Sequence, residues 1–156
     1  QGQSGEILLK GDNILFEYWG NETATKDAIR DGWFYTGDIG YQDEDQDVWV
    51  NDRKKDVVIS GRENIYPAEI EAFIHEMEDI IDGVIVAKPD EKWGEVPVAV
   101  VIKKEGASLL EDDFLSRFQG QLARYKHPKV VYFVNDLPRN AMGKVLKYEV
   151  RKSITG

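Results

Sequence analysis

Two β-branched runs, Ile80–Ala87 and Val96–Lys103, constrain the fold of this chain more than any other feature of its sequence. Such residues favour strands, because their branched side chains pack well on a pleated surface. The segment between the runs contains Pro89, Trp93 and Gly94, and it predicts a loop. The chain is therefore expected to contain a sheet, and the neighbouring segments predict helices beside it.

Helical spacing appears on both sides of these runs. Pro67 is expected at the start of a helix whose apolar residues are Ile70, Phe73, Ile74 and Met77. Ser108 and Glu111 form a Ser-x-x-Glu capping box, which predicts a helix as far as about Ala123. One face of that helix would carry Leu110, Phe114, Leu115, Phe118 and Leu122. With a strand over Lys129–Val134 and a closing helix over Val145–Ser153, this part has roughly three strands and two or three helices.

The first 52 residues predict a different, β-rich region. Its predicted strands or extended segments are Ile7–Leu9, Asn13–Trp19, Trp33–Tyr35 and Val48–Val50, with a short helix over Thr23–Ile29. The acidic loop Gln42–Asp47 is expected to turn a hairpin, and the apolar-free segment Asn51–Asp56 predicts a domain boundary or linker. The predicted fold class is therefore α+β. A β-rich region over 1–52 precedes a small domain over 53–156, in which helices flank a short sheet.

Charge is unevenly distributed along the chain. The net charge of −9 resides in residues 1–52, which hold 12 acids and three bases, whereas the remainder is neutral. Within that remainder, residues 124–156 carry eight bases and two acids. A basic segment of this kind either contacts phosphates or forms a solvated face.

Composition excludes several classes of site. The chain has no cysteine and only two histidines, His75 and His127, so disulfides, thiolate metal sites and multi-histidine sites are excluded. No metal ligand is predicted. No apolar run reaches the length of a membrane span, and no signal peptide opens the chain. The absence of cysteine fits the predicted location, the cytoplasm.

Three short motifs suggest chemistry, and each has a simpler explanation. Asp38, on a predicted turn after an aromatic strand, suits the two hydroxyls of a ribose, although Gly and Asp also favour plain turns. The charged segment Asp52–Asp56 suits a hinge in which Arg53 holds a sugar or phosphate oxygen. The Ser60-Gly61 loop could present backbone N–H groups to a ligand. For these two segments taken alone, a polar linker followed by an ordinary helix start is the favoured explanation.

The third motif is Leu137–Lys144, a predicted mobile loop with a Lys beside a Gly. A lysine ammonium on a flexible stem suits a phosphoryl group whose charge grows in a transition state. An exposed lysine on a surface loop is the simpler interpretation. His75 is expected at the surface, and Trp93 is expected to pack its own loop or to stack on an adenine or thiol cofactor.

Together, in this order and spacing, the motifs resemble the adenylate-forming, AMP-binding enzymes, and most of all the acyl-CoA synthetases. The resemblance rests on residues 32–40, 52–56, 60–71 and 137–144, with support from 89–95 and 125–129, and it covers nearly the whole chain. It implies an enzyme that uses ATP and Mg²⁺ to adenylate a carboxylic acid, releases pyrophosphate, and then forms the thioester of coenzyme A. It also implies a small C-terminal domain that rotates between the two half-reactions.

The resemblance further implies roles for individual residues. Asp38 would bind the ribose hydroxyls of ATP, supported by Arg53, and Lys55 would lie at the hinge. Lys144 would be the catalytic lysine of adenylation. Ser60 and Gly61 would line the pantetheine path of coenzyme A. Arg62 stands where the family commonly has glycine, and it would narrow the path or meet a coenzyme A phosphate.

The family's phosphate loop, acyl pocket and main ATP platform have no counterpart in this sequence. The chain is therefore expected to be a C-terminal piece that acts with the rest of its own chain and is inactive alone. One alternative is an adenylating enzyme that loads a carrier-protein phosphopantetheine. Another is a phosphate- or nucleic-acid-binding module, which the acidic first region and the absence of a nucleic-acid motif disfavour.

Overall fold

The computed structural model of this chain describes residues 2–155. They divide into two compact units between Lys55 and Asp56. The described residues before Asp56 are called the first unit, and those from Asp56 onward are called the second unit. Gln1 and Gly156, the outermost residues of the two predicted domains, lie outside the described residues. Assignment of 1–52 to a larger AMP-binding domain stays a prediction.

The first unit is a four-stranded antiparallel sheet with one short helix. Its elements are β1 (Gly5–Leu9), α1 (Glu22–Ala28), β2 (Ile29–Arg30), β3 (Trp33–Gln42) and β4 (Val48–Arg53). The long strand β3 is the centre of the sheet, because β1, β2 and β4 all pair with it. The predicted hairpin around the acidic loop is present, and α1 begins after Asn21, whose side chain accepts the Ala24 N–H at 3.0 Å.

Two expectations for the first unit are wrong, and a third is only partly met. Asn13–Trp19 forms turns and bends instead of an extended strand. The turn expected at Thr36–Asp38 is part of β3, which continues through it. The segment Asn51–Asp56, expected to be a boundary or linker, contains the division between the two units, but it is strand as far as Arg53 because its backbone pairs with β3.

Gly40 fixes how closely the strands of this sheet approach. A Cβ at this position would lie 2.2 Å from the Trp49 carbonyl oxygen and 2.8 Å from Ile7 Cδ1. Gly40 is also the only buried residue in the described part of the chain before Asp56. Large aromatic side chains are exposed instead, with Phe16 at 91% and Trp19 at 94%. The first unit therefore has no buried apolar core of its own.

The second unit is an α+β domain, as predicted, built on a five-stranded sheet. Its elements are β5 (Val58–Ser60), β6 (Glu63–Ile65), α2 (Pro67–His75), β7 (Ile80–Asp90), β8 (Gly94–Lys103), α3 (Glu111–Ser116), β9 (Val131–Val134) and α4 (Lys147–Thr155). The order is β6-β5-β8-β7, and β9 runs parallel to β8. Both β-branched runs are strands, and they extend into the predicted loop between them until only a tight turn remains.

The sheet of the second unit buries both of its faces. Along β7, Ile85 and Ala87 belong to a core that includes α2 and Phe114 of α3, whereas Val84 and Val86 belong to a smaller core with Val150 of α4. Successive strand residues point to opposite faces. A strand covered on both sides needs apolar residues at every position, which explains the uninterrupted β-branched runs.

The capping box predicted at Ser108 is absent, and α3 is shorter than expected. The helix begins at Glu111 after Leu110 and ends at Ser116, followed by turns. Leu109 is buried, whereas Leu110 is 68% exposed and does not join the apolar face. Burial of Leu109 is worth about 1.5–3 kcal/mol, more than the ~1 kcal/mol of a helix cap, so burial sets the register.

The outer edge of β7 is bonded to carboxylates. Glu71 Oε1 accepts the Ile85 N–H at 2.8 Å, and it also pairs with Lys147 at 2.7 Å. Asp82 Oδ1 accepts the N–H of the next residue, Gly83, at 2.7 Å. Two edge donors of the strand therefore have acceptors from acidic side chains.

Phe118 is the residue whose truncation should test this core most directly. It is fully buried, and its ring packs edge-on against Phe73 and Phe114, with centroids 5.3 Å away in each case. We expect Phe118→Ala to lower the free energy of unfolding by about 3–5 kcal/mol in urea titrations. The exposed Leu110→Ala should change it by no more than about 0.5 kcal/mol. Equal effects of the two substitutions would contradict the described core.

Candidate functional site

Asp38 and Arg53 lie opposite each other on β3 and β4. Arg53 Nε pairs with Asp38 Oδ1 at 3.0 Å, and Arg53 Nη1 donates to the Thr36 carbonyl at 3.2 Å. The side chains are 48% and 29% exposed, so the pair contributes little to stability but is accessible to a ligand. No donor among the described residues binds the second oxygen, Asp38 Oδ2. Asp38 can therefore accept hydrogen bonds from a diol.

A cleft of about 470 Å³ opens beside this pair. Gly37, Arg53, Lys54 and Lys55 line it, so three cations face one space. Lys54 is held by Glu6 at 2.8 Å, whereas Lys55 is exposed in the turn that follows β4. The cleft suits an anionic or hydroxyl-rich ligand.

Ser60, Gly61 and Arg62 form the tight turn of the β5–β6 hairpin, where a loop was expected. Gly61 has φ of +65°, and Arg62 is not among the residues with positive φ. Glycine at the first central position with an ordinary second residue is typical of a type II′ turn. The backbone therefore accommodates Arg62 without strain, and the residue is exposed.

This turn borders a half-open cavity of about 450 Å³, here called the Trp93 cavity. Its lining residues are Ser60, Gly61, Arg62, Glu63, Trp93, Tyr125 and Lys129. The Gly61 N–H donates to the Trp93 carbonyl at 2.7 Å, and a Cβ on Gly61 would meet the Trp93 ring at 3.2 Å. Two aromatic rings, each close to half exposed, and two cations thus surround one space.

Sequence reasoning did not assign Tyr125 and Lys129 to a site. They follow the third helix of the chain, far in sequence from the hairpin, and only the tertiary fold brings them to the cavity. Lys126 fixes this segment, because its ammonium donates to both oxygens of Glu69 at 2.7 Å. Partial burial lowers the pKa of Lys126, but the Glu69 carboxylate raises it above its ordinary value. The signal in the sequence is an aromatic residue and basic residues around Pro128.

Lys144 ends a loop, residues 139–144, that is closed by its own hydrogen bonds and is here called the Lys144 loop. Asn140 Oδ1 accepts the N–H groups of Met142 and Lys144 at 3.0 and 2.9 Å. The Asn140 N–H donates to the Lys144 carbonyl at 2.9 Å, and Gly143 has φ of +80°. Lys144 is exposed, and none of the ion pairs between described residues includes it. The ammonium is therefore available to an anion.

The Lys144 loop is attached to β7 through Asp82. One guanidinium N–H of Arg139 donates a hydrogen bond to the Asp82 carboxylate, and another donates to the Gly143 carbonyl at 2.7 Å. His75, half exposed on α2, contacts Asp82 Oδ1 at 3.0 Å. Partial burial raises the pKa of the Asp82 carboxyl, but His75, the Gly83 N–H and Arg139 together bring it below its ordinary value.

The predicted site residues thus fall into three places. Asp38 and Arg53 meet in the first unit, with Lys55 beside them. Ser60, Gly61 and Arg62 meet at one cavity of the second unit, and Lys144 lies on a different loop. The described residues hold no group of three or more His, Asp or Glu that could bind a metal ion. No helix within residues 2–155 is long and apolar enough to cross a membrane.

Acid titration should reveal the Asp82 contacts. The pKa of Asp82 is lower in the folded protein than its unfolded value of about 3.9. The ionised carboxylate therefore contributes its full share to the free energy of unfolding above about pH 3.9, and this share is lost as the pH falls through the folded pKa. We expect Asp82→Asn to be less stable than the unsubstituted chain at pH 7 and to approach it near pH 2. Urea titrations at several pH values measure this. A stability difference that does not shrink with acid would contradict the assignment.

Comparison with known proteins gives a consistent result. Residues 69–144 match the AMP-binding enzyme C-terminal domain. The indoleacetate–CoA ligase of Aromatoleum aromaticum is 48% identical over 153 residues, which are 98% of this chain and 30% of that protein. This chain therefore spans only about 30% of the length of such a relative.

Solved structures agree with the sequence relatives. ATP-bound MatB from Rhodopseudomonas palustris has a TM-score of 0.87 at 42% identity, over 98% of this chain and 31% of its own. The o-succinylbenzoate CoA synthetase MenE from Bacillus subtilis, in complex with an acyl-adenylate intermediate, has a TM-score of 0.87 at 35% identity, over 96% and 31%. The resemblance found in the motifs, to the adenylate-forming, AMP-binding enzymes, is confirmed: residues 69–144 match their C-terminal domain, and the similar proteins are CoA ligases and synthetases by name.

Proposed function

We propose that this chain is part of an ATP-dependent acid–CoA ligase. In the first half-reaction, a carboxylate oxygen attacks the α-phosphorus of ATP, and pyrophosphate leaves. In the second, the thiol of coenzyme A attacks the acyl carbonyl, and AMP leaves. The relatives named above support this, since one is a CoA ligase, one has ATP bound, and one has an acyl-adenylate bound.

The observation that carries the proposal is the exposed Lys144 ammonium on a hydrogen-bonded loop. A cation without a carboxylate partner retains its full charge for a ligand, and the bonds from Asn140 fix the backbone from which it extends. Charge builds up on the α-phosphoryl group as pyrophosphate departs. A lysine that meets this charge stabilises the transition state more than the ground state, which is the requirement for catalysis.

Asp38 and Arg53 are proposed to hold the ribose of ATP. The open oxygen of Asp38 suits the paired hydroxyls, and Arg53 keeps the carboxylate in place through its contacts with both Asp38 and Thr36. Lys55 follows at the end of the same cleft. Its exposure in a turn between the two units supports a hinge at this residue.

The Trp93 cavity is proposed to receive the nucleotide end of coenzyme A. An adenine can stack on Trp93 or Tyr125, and such stacking is worth about 1–3 kcal/mol per base. Arg62 and Lys129 can meet its phosphates. Ser60 and Gly61, on the same wall, would then border the pantetheine arm. This assigns Arg62 to a coenzyme A phosphate.

The exposed aromatic side chains of the first unit support a further part of the proposal. Phe16, Trp19 and Trp49 present apolar surface that a stable sheet normally buries. We propose that the remainder of the AMP-binding domain, in the same protein, covers it. Mg²⁺ would accompany ATP, and no ligand for it is assigned to this chain. A cytoplasmic location stays a prediction.

Lys144→Ala in the full-length protein tests the catalytic assignment. Removing a preorganised cation from a transition state typically costs about 10²–10³ in rate, so ATP–pyrophosphate exchange should fall by that factor. Thioester formation from supplied acyl-adenylate should remain within about twofold, because that step transfers no phosphoryl group. The exposed Lys152→Ala is the matched control, and it should change neither rate. Unchanged exchange in Lys144→Ala would refute the role of Lys144.

Steady-state kinetics with coenzyme A test the Trp93 cavity. One lost charge-assisted contact of about 1.4 kcal/mol corresponds to a tenfold change, so Arg62→Gly and Lys129→Ala should each raise KM for coenzyme A about tenfold. ATP–pyrophosphate exchange should not change. Lys104→Ala, at an exposed lysine outside the cavity, is the control.

A second substrate identifies the phosphate involved. Dephospho-coenzyme A lacks the 3′-phosphate. If Arg62 or Lys129 contacts that phosphate, substituting the residue should not raise KM for dephospho-coenzyme A above the value for the unsubstituted enzyme. If both variants keep an unaltered KM for coenzyme A, the cavity is not its site. The carrier-protein alternative is not favoured, since the relatives are CoA ligases and synthetases by name.

A further inference from the structure

A single arginine connects the Lys144 loop to the sheet. Arg139 Nη1 donates to the Gly143 carbonyl at 2.7 Å, directly before Lys144. Its Nη2 donates to the Asp82 carboxylate on β7. Because the guanidinium group is planar and rigid, the two contacts fix the distance between the loop tip and the strand.

The Asp82 carboxylate has three hydrogen-bonding partners. Its Oδ1 accepts the Gly83 N–H at 2.7 Å and lies 3.0 Å from His75 Nε2, while Oδ2 receives Arg139. The side chain is only 19% exposed. A carboxylate with this many contacts has little rotational freedom, so it is a fixed anchor for Arg139.

The loop's other bonds define its shape rather than its place. Asn140 bonds to Met142 and Lys144, which are members of the same loop. At the base, the Leu146 N–H donates to the Pro138 carbonyl at 2.8 Å. Of the side-chain contacts described for the loop, the Arg139–Asp82 pair is the one that reaches the sheet.

Asp82 also pairs with a cation that lies close in sequence to Lys144. Arg139 is 39% exposed and lies five residues before Lys144. Without its carboxylate partner, Arg139 would be a second cation free to meet the same phosphates. The pair keeps the arginine charge directed at the sheet and leaves Lys144 as the cation presented by the loop.

We propose that Asp82 and Arg139 are positioning residues for Lys144, which act on adenylation and not on thioester formation. This rests on the proposed function of Lys144. A misplacement of about 1 Å at a reacting group can cost about 10²-fold in rate. Loss of one anchor, with Asn140 still shaping the loop, should therefore cost about tenfold in kcat of adenylation.

The test uses the full-length enzyme and measures both half-reactions. Asp82→Asn should lower kcat of ATP–pyrophosphate exchange about tenfold, with KM for ATP changed less than twofold and thioester formation from supplied acyl-adenylate within twofold. Arg139→Lys keeps the charge but loses the fork, so it should reproduce the same split. It also keeps the inference testable if Asp82→Asn folds poorly.

The matched control is Asp79→Asn. Asp79 lies three residues before Asp82 and forms a two-bond pair with Arg117, with both distances 2.7 Å, but it does not contact the Lys144 loop. This substitution removes the same charge and the same kind of ion pair. It should leave the ratio of the two half-reaction rates unchanged, whatever its effect on melting temperature.

A double variant shows whether Asp82 acts through Lys144. In the Lys144→Ala background, Asp82→Asn should cause no further loss of exchange. Three results would overturn the positioning role. They are an equal loss of rate in both half-reactions of Asp82→Asn, a selective loss of exchange in Asp79→Asn, and a further tenfold loss of exchange in the double variant. If Lys144→Ala alone leaves exchange unchanged, the proposed function fails first. If Lys144→Ala slows ATP–pyrophosphate exchange but Asp82→Asn does not, only the positioning role of Asp82 is rejected.

Discussion

The antiparallel pairing of β7 with β8 is the constraint on which the second unit depends. The two strands stay in register from Ile80 opposite Lys103 to Asp90 opposite Gly94, with one irregularity near the start. Both of their faces are buried, so α2 and α3 must lie on one side and α4 on the other. The hairpin also separates the two candidate sites of the unit, the Lys144 loop and the Trp93 cavity. Asp82 lies near one end of β7 and the Trp93 turn follows the other, with about 26 Å of extended strand between Asp82 and Asp90.

This separation gives the domain two chemically different ends. One presents a lone ammonium on a loop braced by an arginine, which suits a transferring phosphoryl group. The other presents aromatic rings among cations, which suits a nucleotide. The proposed ligase, with its two successive half-reactions, would need both sets of groups, but not at the same moment. A rigid sheet that keeps them apart lets a single small domain supply either set without interference from the other.

Most elements were predictable because their signals are local. The β-branched runs, Pro67 at a helix start and Asn21 before α1 each act through their immediate neighbours. The errors arose where a distant contact decided the outcome. Leu109 is buried by the tertiary core and displaces the helix start from Ser108, and pairing with β3 converts part of a charged linker into strand. The motifs indicated Lys144 and Arg62 as candidate site residues, but they gave no signal for Tyr125, Lys129 or Asp82. Asp82 and Arg139 are 57 positions apart, and nothing in either local sequence indicates the pairing.

The carboxylates along the outer edge of β7 have a consequence for solubility. An edge strand usually offers free N–H groups to a strand from another molecule, which is a route to aggregation. Here the Gly83 and Ile85 donors are already bonded to Asp82 and Glu71, so an incoming strand would have to displace two charged acceptors. The side chain that anchors the Lys144 loop thus also protects the sheet from edge-to-edge growth. A substitution at Asp82 would therefore affect both the Lys144 loop and the tendency of the protein to remain monodisperse at high concentration.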